Sequence, residues 1–311
     1  MTNCERVTTM TDAAHEQRRL RLAGIGLMCA AVLCFACLDA MAKYLGTHMD
    51  TLQVVGVRYA AAFFIALMIS NPITRPSLIR TDRLALQMLR GALLLGSTVF
   101  NFTAFRYLQL DEALAILFST PFLVAILAGP ILGEWVGWRR WTAILVGFAG
   151  VLVVVRPGLG GMHWAALLSL GSAVCYAVYN IVTRMLSTTD SSETTLFYAN
   201  LFGAVVMLPI LPFIWTPPAH WLDYLLMVAV GCFGAGGHYL LILAHRNAPA
   251  SVLSPFIYTQ IVWAVTLGWL VFADVPNRWT IAGAGIVIAS GLYLLYRERR
   301  VTGRVAPVEP G

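Results

Sequence analysis

Four charged residues, Asp39, Lys43, Arg58 and Arg90, stand inside long apolar runs. Charge in hydrocarbon costs at least about 2.5–3.5 kcal/mol on insertion scales, so each needs a partner or a task. Asp39 and Lys43 are four apart, which on a helix places them on one face and lets them neutralise each other. The same pair could form a substrate or proton site. Arg58 could hold Asp39 in place or grip the carboxylate of a bound molecule, because a guanidinium offers paired donors to paired oxygens. Arg90, two turns from the end of its run, is expected to anchor there, with its long side chain reaching to the polar surface.

Uncharged polar and aromatic groups lie at similar depth: Asn101, Asn180, Asn200, His238, Tyr239, Tyr258 and Gln260, with Phe100, Tyr176, Tyr179 and Trp263. A zwitterion stripped of water needs donors for its carboxylate and acceptors for its ammonium group, and these side chains supply both. The rings could stack on a flat substrate or hold an ammonium group by cation–π attraction. The bland alternative is hydrogen bonding between helices, at about 0.6 kcal/mol each, with ordinary ring packing. The candidate substrate-binding set is therefore Asp39, Lys43, Arg58, Asn101, Tyr176, Tyr179, Asn180, His238, Tyr239, Tyr258, Gln260 and Trp263. His238 also stands beside Gly231, Gly234, Gly236 and Gly237, a nearly bare stretch that permits close helix packing.

Such residues need a scaffold, and composition names its class. Of 311 residues 59% are hydrophobic and 12% charged, against roughly 25% charged in an ordinary soluble domain. Mean hydropathy is +0.75. A soluble fold could not hide that much apolar surface, and a disordered chain, a coiled coil or a disulfide scaffold is excluded on the same grounds. The expected class is an all-α polytopic membrane protein. Six cysteines lie almost wholly in apolar runs, and the Cys34/Cys37 pair reads as small packing residues with no redox context.

A bilayer core needs about 20 apolar residues per helix. Ten runs qualify, near 22–45, 52–70, 84–105, 113–132, 141–156, 164–186, 194–215, 221–243, 251–271 and 279–297. Turn or charge marks separate them, such as Asn71-Pro72, Arg156-Pro157-Gly158, Thr188-Thr189-Asp190 and Asn247-Ala248-Pro249. With the N-terminus inside, the inner segments hold fifteen of the 21 Lys and Arg residues and the outer ones four: Lys43, Arg106, Arg156 and Arg278. That bias predicts ten spans with both termini cytoplasmic, and it explains the net charge of +6 without nucleic acid. The polar stretch 1–21 is then a cytoplasmic tail and not a signal peptide, and 298–311 is a second tail. Trp135, Trp138, Trp141, Trp164, Trp215, Trp221 and Trp279 fall at span ends, as interfacial belts require.

The two halves align. Cys34-Phe35-Ala36, Asp39 and Lys43 match Cys175-Tyr176-Ala177, Asn180 and Arg184 at an offset of 141; Gly91, Gly96, Ala104, Arg106 and Glu134 match Gly231, Gly236, Ala244, Arg246 and Asp274 at 140; Trp141-Thr142 and Gly147 match Trp279-Thr280 and Gly285 at 138. The repeats are 22–157 and 162–297. Five spans is an odd number, so the second copy enters the membrane from the opposite side. Inverted repeats of this kind mark secondary transporters with a substrate site near the midplane between the halves.

At this point the sequence resembles the drug/metabolite transporter superfamily, in its EamA-type branch. The likeness rests on the duplication, on Leu132-Gly133-Glu134 and Phe272-Ala273-Asp274 closing the fourth and ninth spans, and on the glycine-rich Gly147-Phe148-Ala149-Gly150 and Gly283-Ala284-Gly285 that follow. Pro121 and Pro255 sit in those two spans as the family pattern suggests, while Asp274 and Ala273 depart from its usual glutamate and glycine. Within the family the chain looks most like the YddG-type exporters of aromatic amino acids. The resemblance implies a bacterial inner-membrane exporter with a central cavity, and the duplication makes a monomer sufficient. It calls for no cofactor, no metal and no catalytic residue. An intramembrane lipid-modifying enzyme is the rival, but no His-Glu-x-x-His or Gly-x-Ser-x-Gly pattern occurs.

Overall fold

The computed structural model describes residues 3–69, 75–133, 138–156, 163–186, 189–248, 253 and 256–302. Glu134, Trp135, Pro255 and the turn residues Asn71-Pro72, Pro157-Gly158, Thr188 and Pro249 lie outside them, as do the ends of both tails and the join between the repeats. Among the described residues all regular structure is helical. The helices are α1 (Asn3–Gly46), α2 (Thr51–Ile69), α3 (Leu84–Phe105), α4 (Leu110–Leu117), α5 (Thr120–Leu132), α6 (Trp138–Val155), α7 (Ala166–Leu186), α8 (Ser192–Met207), α9 (Leu211–Ile214), α10 (Trp221–Asn247), α11 (Thr259–Phe272) and α12 (Arg278–Thr302). Among the described residues six segments are long and apolar enough to cross a membrane, and Trp141–Val155 and Thr259–Phe272 are shorter apolar helices. The chain is a multi-pass membrane protein.

Local chemistry explains where helices break. The run expected as one fourth span is two helices, joined by a turn at Phe118 and Ser119. Pro121 has no N–H for the Leu117 carbonyl, which instead accepts from Thr120 Oγ1 at 2.6 Å. The ninth run shows a matching hydroxyl bond without a proline at the equivalent place: Thr259 Oγ1 donates to the Phe256 carbonyl at 2.6 Å beside a turn at Tyr258. The seventh run shortens to α8, where Pro209 and Pro212 admit only the single turn of α9. Helix α1 also differs from expectation, since it continues back through most of the anticipated tail to Asn3.

Helices α5 and α11 end alike. Gly133 (φ 75°) and Ala273 (φ 56°), 140 apart, are both left-handed caps. Alanine tolerates this at some cost because Ala273 N–H and Asp274 N–H close onto the Trp269 and Gly268 carbonyls.

Packing follows the sequence duplication. Helix α1 packs on α10 as α7 packs on α3; α2 packs on α10 as α8 packs on α3; α11 packs on α1 as α5 packs on α7. The pairs α2·α8 and α6·α12 map onto themselves. Phe118 and Tyr258, equivalent at offset 140, meet edge to face with centroids 5.2 Å apart. These are the relations of a pseudo-twofold axis passing between the two helix breaks. The main buried cluster surrounds it, combining Leu38, Tyr59, Phe102, Phe105, Leu114, Phe118, Phe122 and Tyr258. Close approach depends on bare backbone at Gly203, where a Cβ would overlap the Tyr59 ring.

Symmetry is broken at one end of the bundle, which carries Lys43. There the ends of α1 and α3 meet, with Gly46 against the Arg106 side chain. Their repeat equivalents α7 and α10 scarcely touch at the opposite end.

Candidate functional site

Asp39, Arg58, His238 and Gln260 converge in the interior between α1, α2, α10 and α11, and α3 adds Thr98. Asp39 is 7% exposed. Its Oδ2 accepts one long hydrogen bond, from Gln260 Nε2 at 3.2 Å. Arg58 lies in electrostatic reach of Asp39 without an ion pair to it. Instead Arg58 Nη1 donates to Thr98 Oγ1 at 2.8 Å, and the guanidinium lies over the Tyr59 and Phe102 rings at 5.0 and 5.6 Å. Thr98 Oγ1 can accept because its own proton goes to the Leu94 carbonyl at 2.8 Å. Arg58 Nε is buried with no partner. Gly234 makes room for this arrangement: a Cβ there would stand 3.1 Å from Leu38 and 3.6 Å from Arg58 Nε.

Rings adjoin His238 on one side and Arg90 on the other. Phe35 meets His238 edge to face at 5.0 Å. Tyr176, the repeat equivalent of Phe35, stacks on Tyr179 at 5.3 Å with an 11° interplanar angle. An unpaired acid and a guanidinium with a spare donor, bordered by aromatic surface, can bind a small molecule that carries both charges and a flat group.

Two expectations about charge are corrected. Lys43 does not neutralise Asp39: its Nζ pairs with Asp274 Oδ2 at 2.6 Å, donates to the Leu108 carbonyl at 3.2 Å and lies 4.8 Å from the Phe272 ring centroid. A carboxylate from the other repeat is the better partner because it approaches from across the helix interface, whereas Asp39 sits one turn deeper. Arg90 is no surface anchor. It is 5% exposed and gives hydrogen bonds to Thr183 Oγ1 at 2.8 Å, the Thr195 carbonyl at 2.6 Å and Tyr179 Oη at 2.6 Å, which ties α3 to α7 and α8. Its donors are engaged in structure.

The remaining candidates scatter. Asn180 bonds back to the Tyr176 carbonyl and Asn200 to the Leu196 carbonyl within their own helices. Asn101 is buried in α3 with Oδ1 unpartnered. Tyr258 packs in the core against Phe118, and Trp263 joins a smaller cluster with Met28, Val32, Ala244 and Leu253. Tyr239 is 47% exposed, on the outer face of α10. Among the described residues no group of three or more His, Cys, Asp or Glu could hold a metal ion.

Sequence reasoning missed Thr98, whose hydroxyl has no signature in an apolar helix. It also missed two clasps that fix loops to helix starts. Gln53 Nε2 donates to the Thr216 carbonyl at 2.8 Å, and Gln53 Oε1 accepts from Thr216 N–H at 3.0 Å. Asp190 Oδ2 accepts from Thr81 Oγ1 and Gln87 Nε2, each at 2.6 Å.

The sequence profile of the EamA-like transporter family matches residues 22–156 and again 163–297. An S-adenosylmethionine uptake transporter of Rickettsia felis is 27% identical, over 91% of this chain and 96% of its own. A riboflavin transporter of Vibrio cholerae is 28% identical over 91% and 96%, and a pseudopaline exporter of Pseudomonas aeruginosa 26% identical over 89% and 97%. One solved crystal structure superposes with a TM-score of 0.61 at 17% identity, covering 89% of this chain and 98% of that one; that likeness is one of fold.

Proposed function

The chain belongs to the EamA-like transporter family, and from that premise we propose that it carries a small zwitterionic metabolite through the space between its repeats by alternating access. The observation that carries this reading is Asp39 and Arg58 facing one interior without pairing with each other. Asp39 receives the substrate ammonium group and Arg58 its carboxylate. Phe35 and Tyr176 border the flat part of the molecule, so amino acids with aromatic side chains are the favoured cargo. Of the relatives' named cargoes, S-adenosylmethionine joins an amino-acid head to a flat purine and suits such a site, whereas riboflavin offers a flat ring but neither pole of a zwitterion. Relatives named for uptake and for export share the family, so family membership alone sets no direction, and export is the direction this reading takes.

Ten spans with both termini cytoplasmic complete the proposal, as a monomer in the bacterial inner membrane. The basic bias of the inner segments supports that orientation. The test is counterflow of labelled tryptophan, phenylalanine, S-adenosylmethionine and riboflavin into proteoliposomes of purified protein. Accumulation of the two amino acids is expected. Accumulation of either other compound alone replaces the cargo, and no accumulation by monodisperse protein overturns the reading.

A further inference from the structure

Beside the Lys43–Asp274 ion pair lies a second carboxylate that the pair does not use. Asp111, in the first turn of α4, is 4% exposed, and its Oδ2 is buried with no hydrogen-bond partner. A buried carboxylate oxygen left open is costly and calls for an explanation. Lys43 is already bonded to the Leu108 carbonyl, three residues before Asp111, and Asp111 is electrostatically coupled to both Lys43 and Asp274. Glu112, next along, is coupled to Arg156 ahead of Lys43.

The two carboxylates differ in what carries them. Asp274 follows the left-handed cap of α11, in the second repeat, while Asp111, Leu108 and Lys43 all belong to the first. The ion pair therefore ties the repeats together at the end where α1 and α3 meet. Moving α11 away from α1 at that end would take Asp274 from Lys43. A lysine left alone there would oppose opening by the full cost of an unpaired, partly buried charge. Asp111 removes that cost.

We propose that Lys43 is a two-position gate: it holds Asp274 when the Lys43 end is closed, and passes to the open oxygen of Asp111 when α11 moves away. This rests on the transport reading for its purpose, though not for its test. The substitutions act in opposite directions. Asp274→Asn removes the closed-state partner and Asp111→Asn the open-state partner, while Lys43→Gln removes both.

The test uses spin labels at Tyr107→Cys and Val275→Cys, exposed positions beside Leu108 and Asp274. The full chain, with its native cysteines replaced and shown to be monodisperse, is reconstituted and the separation measured by pulsed electron paramagnetic resonance. Asp274→Asn should raise the ratio of long to short separations about tenfold, and Asp111→Asn should lower it, as expected when one charge-assisted bond is lost from one of two states. With Lys43→Gln present, neither aspartate substitution should move it further. A shift in the same direction for both aspartates, or no shift for Asp111→Asn, overturns the gate. If the opposed shifts appear while counterflow fails for every cargo, the gate stands and the proposed cargo falls.

Discussion

Replacing Asp39 with asparagine tests the zwitterion site at its acidic pole. The substitution keeps size and retains an acceptor for Gln260, whose Nε2 lies 3.2 Å from Oδ2. What it removes is the charge. With no ion pair to Arg58, that charge is available to a bound ammonium group, and a hydrogen bond to a charged partner contributes about 1.5–3 kcal/mol. Half-saturation for tryptophan should therefore rise about 10- to 150-fold. The control is indole-3-propionate, which keeps the ring and the carboxylate and lacks the amino group. Its half-saturation should change less than about threefold, because it never used the carboxylate of Asp39. Both are read as concentration dependences of counterflow at equal protein density, with melting temperature confirming the fold. Equal losses for the two ligands would refute the assignment and make Asp39 a structural acid.

Other substitutions test the frame. Gly203→Ala sets a methyl group against the Tyr59 ring and should cost about 1–3 kcal/mol of stability, seen as a lower melting temperature that Tyr59→Ala partly restores. Arg90→Met leaves Tyr179 Oη, Thr183 Oγ1 and the Thr195 carbonyl without their donor and should destabilise by about 3 kcal/mol or more; a variant as stable as the parent in thermal unfolding would show that these bonds do not hold α3 to α7 and α8. At Asp190, burial opposes ionisation, but hydrogen bonds from Thr81, Gln87 and Thr189 and the charge of Arg83 outweigh it and hold the carboxyl below its ordinary value. Its contribution is thus present above the unfolded value near ~3.9 and is lost as pH falls through the lower folded value. The melting-temperature gap between the parent and Asp190→Asn should be open at pH 7 and close on acidification below about 4; a gap unchanged with pH would show that the Asp190 clasp does not depend on its charge.

What the sequence made legible was periodic or duplicated. Apolar run length set helix positions, and the matches at offsets of 138 to 141 anticipated which helices would pack as equivalents. Proline at 121 marked a broken helix only in retrospect, because its consequence depends on Thr120 capping the carbonyl it leaves open. Partnerships were harder to read. The spacing of Asp39 and Lys43 favoured a local pair, yet Lys43 found Asp274, 231 residues away. Arg90 was placed by depth along its helix, and depth says nothing of the face turned toward Tyr179 and Thr183. The same gap separates Tyr239 from His238, adjacent residues of which one is exposed and the other packs on Phe35.

The repeats supply a symmetric frame, and the chemistry placed on it is not symmetric. Asp39 stands where the second repeat has Asn180, Phe35 where it has Tyr176, and His238 where the first has Thr98. Arg58 corresponds to Ala199 at the same offset as Asp39. Had both copies kept the acid, two buried carboxylates would each need a cation, and one would be left competing for the same guanidinium. With the donors of Arg90 taken up by Thr183, Thr195 and Tyr179, Asp39 and Arg58 give the interior one electrical direction. An inverted-repeat transporter exchanges its two closed ends by letting each half adopt the packing of the other. The frame can therefore invert while the charged pair does not. A zwitterion held between Asp39 and Arg58 keeps its orientation through that exchange, so recognition need not be rebuilt on either side of the membrane. On this argument, moving the acid to the equivalent position, by Asp39→Asn with Asn180→Asp, leaves the net charge unchanged and should abolish tryptophan counterflow. Retained transport would mean that the position of the charge is immaterial and that the interior selects by shape alone.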